Sequence, residues 1–209
     1  ADLWVCRRRA QWRAQGARRL RRDEPAVEAV RRLLAAGVPG LLILQEQRAA
    51  MQRNLIEDIL CRWCDEEELA LIVTIGGTLP APGPGAREIV PDVTLAVAER
   101  QLPGLGEAMR AYAQDDLPLA IIDRSVAAIR GRTLLINLPA GPKSARLFLE
   151  GVVDVIGAVV AHLQEDPAAP GLGDEDEPGD ADEGEADPPP QRGLNADDFA
   201  AFLKRRKQD

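Results

Sequence analysis

The chain has 209 residues, a formal net charge of −8 at pH 7, and 45% hydrophobic but only 3% aromatic residues. This length fits one α/β domain with appendages, whose core is mainly aliphatic and forms without disulfides or a structural metal. No apolar run approaches the ~20 residues of a membrane helix, so we expect neither a membrane segment nor a signal peptide. Only three cysteines occur, which favours a cytoplasmic location.

In chain order, the predicted elements alternate between helices and short apolar strands. A brief apolar segment at 3–6 is followed by an arginine-dense stretch at 7–22, and a helix opens at Pro25 and ends at Gly37. The other predicted elements are a strand at 40–44, a helix at 55–63, a buried strand at 69–75, helices at 93–100 and 104–113, strands at 119–122 and 134–136, and a helix at 142–163. This alternation predicts a three-layer α/β/α sandwich with a mostly parallel sheet.

The arginine stretch has two possible interpretations. It is either a nucleic-acid arm or the continuation of a first strand of the domain that includes residues 5–8. Trp12 is the aromatic residue interleaved with these arginines, and the chain carries its own acidic segment, so nucleic-acid binding is the less favoured interpretation.

The composition divides the chain into three parts. Residues 1–164 form the predicted domain, and residues 165–193 form an acidic linker that is too polar to fold. Removing the eleven acids between residues 165 and 190 leaves 26 basic residues against 23 of the 34 acids, so the acidity belongs to the tail. Residues 194–209 predict a short amphipathic helix with Phe199, Phe202 and Leu203 on one face, which we expect to dock on a surface or to bind a partner.

The predicted strand at 69–75 ends abruptly in Gly76, Gly77 and Thr78. Ligands of open α/β sheets bind at the carboxyl ends of strands, and glycines there allow main-chain N–H groups to approach a phosphate. A tight turn without a ligand would show the same three residues, and this alternative stays open.

Two further blocks follow the glycines. They are R-E-I-V-P-D-V-T at 87–94, and D-R-S-V-A-A-I-R-G at 123–131 with T-L-L-I-N-L-P-A-G-P-K-S at 133–144. With the glycine loop, they resemble the signature of the molybdopterin adenylyltransferase family of the MogA/MoaB type, over residues 55–163. That signature contains T-x-G-G-T-G, R-D-V-T-P-[DE]-[AV]-T and S-R-[SQ], followed by N-[LM]-P-G-x-P-[KN].

The resemblance implies Mg-ATP-dependent adenylylation of molybdopterin in molybdenum cofactor biosynthesis, by a homotrimer. It implies catalytic roles for Glu88 and Asp123, with Glu88 also binding Mg²⁺. The residues implied to bind molybdopterin and ATP are Gly76, Gly77, Thr78, Ser125, Asn137, Pro139 and Lys143.

Three positions depart from the family pattern. Glu88 replaces an aspartate, Asp123 replaces a serine, and Met51 occupies the place of an acid in a V-P-D-E segment, unless Glu46 supplies that acid from nearby. Methionine is no ligand for a hard cation. The alternative function is therefore a catalytically weak paralogue that binds pterin or nucleotide as a carrier or regulator.

The C-x-x-C at Cys61 and Cys64 carries a weaker signal. Redox motifs of this type begin a helix, whereas this one lies near a predicted helix end and precedes four acids. A zinc site would have only Cys6 and His162 left as ligands. We therefore interpret these cysteines as structural, and His162 as a surface residue.

Overall fold

The computed structural model describes residues 25–83, 87–167 and 169–171, together with the main chain of residues 2–8. The strands are β1 (Asp2–Arg8), β2 (Leu41–Arg48), β3 (Leu71–Ile75), β4 (Arg100–Gln101), β5 (Ala127–Arg130) and β6 (Thr133–Leu138). The helices are α1 (Pro25–Gly37), α2 (Arg53–Asp65), α3 (Val90–Val97), α4 (Pro103–Ala113), α5 (Pro142–Glu150) and α6 (Val153–Leu163). The arginines beyond residue 8, most of the acidic linker and the segment 194–209 lie outside the described residues.

The fold is a three-layer α/β/α sandwich, as the sequence predicts. Successive strand residues point to opposite faces of the sheet. Leu71, Val73 and Ile75 of β3 face a cluster formed with α1, α4, α5 and α6, whereas Ile72 faces a second cluster formed with α2 and α3. All five β3 residues are buried, which explains the continuous apolar run in this part of the sequence.

The sheet is mixed, and the expectation of a mostly parallel sheet is wrong. Its strand order is β2-β1-β3-β6-β5-β4, and among these pairings only β3 with β6 is parallel. β5 and β6 are joined by a two-residue turn in which Gly131 has φ +55°, and a connection this short requires antiparallel pairing. At the other side, β1 pairs antiparallel with both β2 and β3.

Two element predictions between residues 93 and 122 are also wrong. The helix predicted to reach residue 100 ends at Val97, and Arg100–Gln101 instead pairs with β5 as an edge strand. The strand predicted at 119–122 is a 3₁₀ helix, Pro118–Ile122, which begins with proline. Its side chains Leu119, Ile121 and Ile122 are exposed, so their apolar character does not mark a buried strand.

The last predicted helix is two helices. The continuous apolar stripe from 148 to 163 predicts one helix, but the chain breaks between α5 and α6 at residues 151–152. α4 packs closely here, because a Cβ built on Gly151 would lie 2.9 Å from Tyr112 Cβ. Within the described residues, no helix is long and apolar enough to cross a membrane.

Candidate functional site

Three loops converge where the parallel strands β3 and β6 end side by side. The Gly76 N–H donates to the Leu138 carbonyl at 2.7 Å, which joins the loop after β3 to the end of β6. The Arg124 N–H donates to the Thr78 carbonyl at 3.1 Å, and the Val90 N–H reaches Gly77 O at 3.4 Å. The glycine loop, defined here as residues 76–78, therefore contacts the end of β6, the segment at Arg124 and the start of α3.

The glycine loop offers main-chain donors to a ligand. Gly76 and Gly77 have φ angles of +98° and +72°, a conformation that side chains disfavour. The N–H groups of Gly77 and Thr78 donate to no acceptor in the part of the chain that the structure describes. Consecutive N–H groups in such a turn form a concave anion site.

Asp123 organises a buried turn beneath this loop. Its Oδ2 accepts a hydrogen bond from the Thr78 hydroxyl at 2.8 Å, and its Oδ1 accepts from the N–H and hydroxyl of Ser125 at 2.8 and 2.5 Å. Asp123, Thr78 and Ser125 are at most 5% exposed. The structure thus brings together three residues predicted from the sequence, but as supports of the loop, which favours a positioning role for Asp123 over direct catalysis.

Asn137 is likewise buried rather than open to a ligand. Its Nδ2 donates to the hydroxyls of Thr74 and Thr94, both at 2.9 Å, and so ties β6 to β3 and α3. Its Oδ1 has no hydrogen-bond partner among the described residues, although buried polar atoms are nearly always paired. The family resemblance implies that Asn137 binds the ligand, whereas in the structure its amide N–H groups donate to threonines inside the fold.

Glu88 lies beside an ion-pair network that the sequence analysis overlooked. Arg124 forms a two-point pair with Asp92 in the first turn of α3, and its Nη1 also lies 3.3 Å from the Glu88 carbonyl. The Glu88 carboxylate is 3.7 Å from the same guanidinium. Both Arg124 and Asp92 occupy charged positions of the family signature, so the signature could have identified this ion pair from the sequence.

The surroundings keep the Glu88 carboxylate ionised. Main-chain N–H groups, first its own and then that of Arg87, lower the pKa of Glu88, with a smaller contribution from Arg124. The hydrogen-bonded pair with Asp92 correspondingly raises the pKa of Arg124. Glu88 therefore adds a fixed negative charge in the segment that follows the glycine loop.

Met51 lies directly against the glycine loop. A Cβ built on Gly77 would be 2.4 Å from Met51 Cε, so the thioether occupies the space beside this glycine. This contact fits the expectation that position 51 faces the site. Glu46 does not supply the missing acid there, because it pairs with Arg31 of α1.

The amino end of α5 forms the other side of the site. A Cβ on Gly76 would lie 3.4 Å from Ala140 Cβ, so the segment before α5 touches the glycine loop. Lys143 stands in the first helical turn, where anions bind well, but its Nζ is 3.0 Å from Asp116 Oδ1. Pro139 is buried between β6 and this turn.

The described residues contain no group of three or more acids, histidines or cysteines that could hold a metal ion. Glu88 alone fits as one ligand of Mg²⁺, which usually takes one or two carboxylates together with substrate phosphates and water. Cys64 therefore belongs to no such group, and burial raises the pKa of its thiol to about 12. That value fits the structural interpretation of the C-x-x-C.

Comparison with known proteins identifies the family of this chain. A family described as "Probable molybdopterin binding domain" matches residues 23–158, and the chain belongs to it. The protein takes part in molybdenum cofactor biosynthesis.

Several named relatives support this assignment. The chain is 39% identical over 140 residues to the molybdopterin adenylyltransferase of Escherichia coli K12, covering 67% of this chain and 70% of the relative. It is 40% identical over 129 residues to that of Helicobacter pylori J99, covering 62% and 71%. The solved molybdopterin biosynthesis enzyme MoaB from Thermus thermophilus is 36% identical with a TM-score of 0.58, covering 70% and 88%.

Proposed function

We propose that the protein adenylylates molybdopterin. A phosphate oxygen of molybdopterin attacks the α-phosphorus of ATP, and the bond from that phosphorus to the oxygen bridging to the β-phosphate breaks. Pyrophosphate leaves with the electron pair. The observation that carries the proposal is the pair of N–H groups at Gly77 and Thr78, at the ends of the parallel strands, which have no acceptor among the described residues. The E. coli relative that bears the name of this activity supports it.

The chain's own contribution is positioning and charge neutralisation, which dominate phosphoryl-transfer catalysis. The N–H groups of Gly77 and Thr78 bind phosphate oxygens, and the amino end of α5 with Lys143 adds positive potential from the other side. Glu88, held ionised by main-chain donors, is the acid that we assign to catalysis. Mg²⁺ bound to ATP would supply charge neutralisation, with Glu88 as its protein ligand.

The test is direct product detection. Purified protein is mixed with Mg-ATP and molybdopterin, and adenylylated product and pyrophosphate are quantified by mass spectrometry and a coupled assay. We expect both in equal amounts, and we expect Glu88→Gln to slow the reaction at least tenfold. The matched control is Glu57→Gln on α2, where a half-buried glutamate pairs with Arg53. Absence of product from the wild-type protein would refute the proposal.

Met51 favours a second candidate function. An apolar thioether fills the place beside Gly77 where the family pattern has an acid. A protein that binds ATP or molybdopterin without joining them would act as a carrier or regulator. Binding measured by calorimetry, in the absence of any product, would identify this function.

We further propose a homotrimer and a cytoplasmic location. The family resemblance supports the trimer, and the exposed apolar side chains Leu119, Ile121 and Ile122 offer contact area. The ATP requirement of the proposed reaction supports the location. Light scattering coupled to size exclusion would test the assembly, since 22.6 kDa per chain separates monomer from trimer clearly.

A further inference from the structure

Asp123 places a buried negative charge directly under the loop that would bind phosphate. The carboxylate is 5% exposed and is satisfied by three hydrogen bonds from Thr78 and Ser125. No arginine or lysine of the described chain pairs with it. Arg110 reaches the same turn, but its guanidinium donates to the main-chain carbonyls of Ser125 and Asp123, at 2.8 and 3.5 Å.

The hydrogen bond from Thr78 fixes how close this charge is to a bound anion. Thr78 carries both the N–H to which we assign phosphate binding and the hydroxyl that donates to Asp123. An anion on that N–H therefore lies within about 9 Å of the carboxylate, a distance set by two hydrogen bonds and one threonine. At an effective dielectric near 20, repulsion over this distance weakens binding of an anion on the order of tenfold.

The same hydrogen bond also restricts the chemistry of the Thr78 hydroxyl. Since its proton is donated to Asp123, the hydroxyl has no proton left for a phosphate oxygen. A serine at position 123, as in the family pattern, would carry no charge at this place.

We propose that Asp123 is a specificity-determining residue that makes the glycine loop reject free polyphosphate and accept its complex with a divalent cation. The inference rests on the proposed function, because it assumes that ATP binds at this loop. Free ATP carries more negative charge than Mg-ATP, so the buried carboxylate penalises the free form more.

Asp123→Asn is the sharpest test, because it removes the charge and keeps the shape. The amide Oδ1 can accept from the Ser125 N–H and hydroxyl, while Nδ2 can donate to the Thr78 hydroxyl and so release its proton for a ligand. Asp123→Ser restores the family residue and serves as a second variant should the first fold poorly. Asp154→Asn, at an exposed position of α6, changes the net charge equally and is the matched control.

Calorimetric titrations of the full chain use ATP and inorganic pyrophosphate as probes, each in EDTA and in excess Mg²⁺. We expect Asp123→Asn to bind metal-free ATP about tenfold tighter than the wild type, and Mg-ATP less than about threefold tighter. Asp154→Asn should match the wild type in both conditions.

The outcomes separate this inference from the proposed function. Equal affinity of wild type and Asp123→Asn for metal-free ATP, or the same gain with and without Mg²⁺, would overturn the role of Asp123 and leave the adenylylation proposal standing. A wild-type protein that binds neither probe in either condition would have no polyphosphate site, and would overturn both.

Discussion

Gly77 offers the strictest test of the glycine loop, because two separate costs meet at this residue. Its φ of +72° is left-handed, which costs a residue with a side chain about 1–2 kcal/mol. A new Cβ would also lie 2.8 Å from Val90 Cγ2, and Val90 is fully buried. Such overpacking costs a further ~1–3 kcal/mol. We therefore expect Gly77→Ala to lower the free energy of unfolding by about 2–5 kcal/mol.

Urea unfolding measures this loss, and calorimetry with Mg-ATP measures the accompanying loss of binding. A side chain at Gly77 would block the close approach of a ligand to the main-chain N–H groups, and the contact with Val90 adds a cost in stability. Met51 contributes little, because its flexible end can move away, so Gly77→Ala with Met51→Ala should recover less than about 1 kcal/mol.

Gly104→Ala is the matched control for this experiment. Gly104 lies in α4 with ordinary helical geometry and open space around its Cα. Alanine there should be neutral or stabilising by up to ~1 kcal/mol. Unchanged stability and retained Mg-ATP affinity in Gly77→Ala would refute the assigned geometry of the loop.

The remaining predictions concern other residues around the site. Met51→Asp should raise the adenylylation rate or its response to Mg²⁺, because it restores an acid beside Gly77; steady-state rates measure this. Asn137→Ala should lower the free energy of unfolding by about 2–4 kcal/mol, because two buried threonine hydroxyls lose their partner, as urea unfolding would detect. The pKa of Glu88 is lowered in the folded protein, so its stabilising effect is complete above the ordinary glutamate range and fades as the pH falls below it; the Tm gap between wild type and Glu88→Gln should shrink accordingly. Iodoacetamide should label half-buried Cys61 before Cys64, whose thiol is buried with a pKa of about 12, as peptide mass spectrometry would show.

Each of these predictions has a contradicting result. Met51→Leu is the control for Met51→Asp, and equal rates in both variants would mean that position 51 does not act on the reaction. Full stability of Asn137→Ala would mean that its hydrogen bonds are not needed. A Tm gap that grows at acid pH would reverse the assigned sign for Glu88. Faster labelling of Cys64 would contradict its burial.

Much of the fold follows from local sequence patterns. The helices α1 and α2 have clear apolar periodicity, and the apolar run of β3 marks a strand covered on both faces. The relative direction of the strands could not be predicted from local sequence patterns. It depends on the two-residue turn at Gly131 and on β5, whose short Ala127–Arg130 segment resembles no typical strand. The split between α5 and α6 depends on the close approach of α4 to Gly151, which no periodicity reveals.

The site shows the same division. The place of the glycines at 76 and 77 was predictable, because a continuous apolar run ends directly before them and forms the buried strand β3. The roles of Asp123 and Asn137 were not, because both depend on partners far along the chain, Thr78 for the first and Thr94 for the second. The residue type alone could not show that these polar groups form hydrogen bonds inside the fold.

Amide NMR of the ¹⁵N-labelled protein tests directly whether ATP binds at the glycine loop. On addition of Mg-ATP, we expect the largest shifts at the Gly77 and Thr78 amides, whose N–H groups have no partner among the described residues. The Gly131 amide, in the turn between β5 and β6 at the opposite end of these strands, should stay unchanged. Unshifted Gly77 and Thr78 amides at saturating Mg-ATP, or a shift at Gly131 instead, would contradict binding of ATP at the glycine loop.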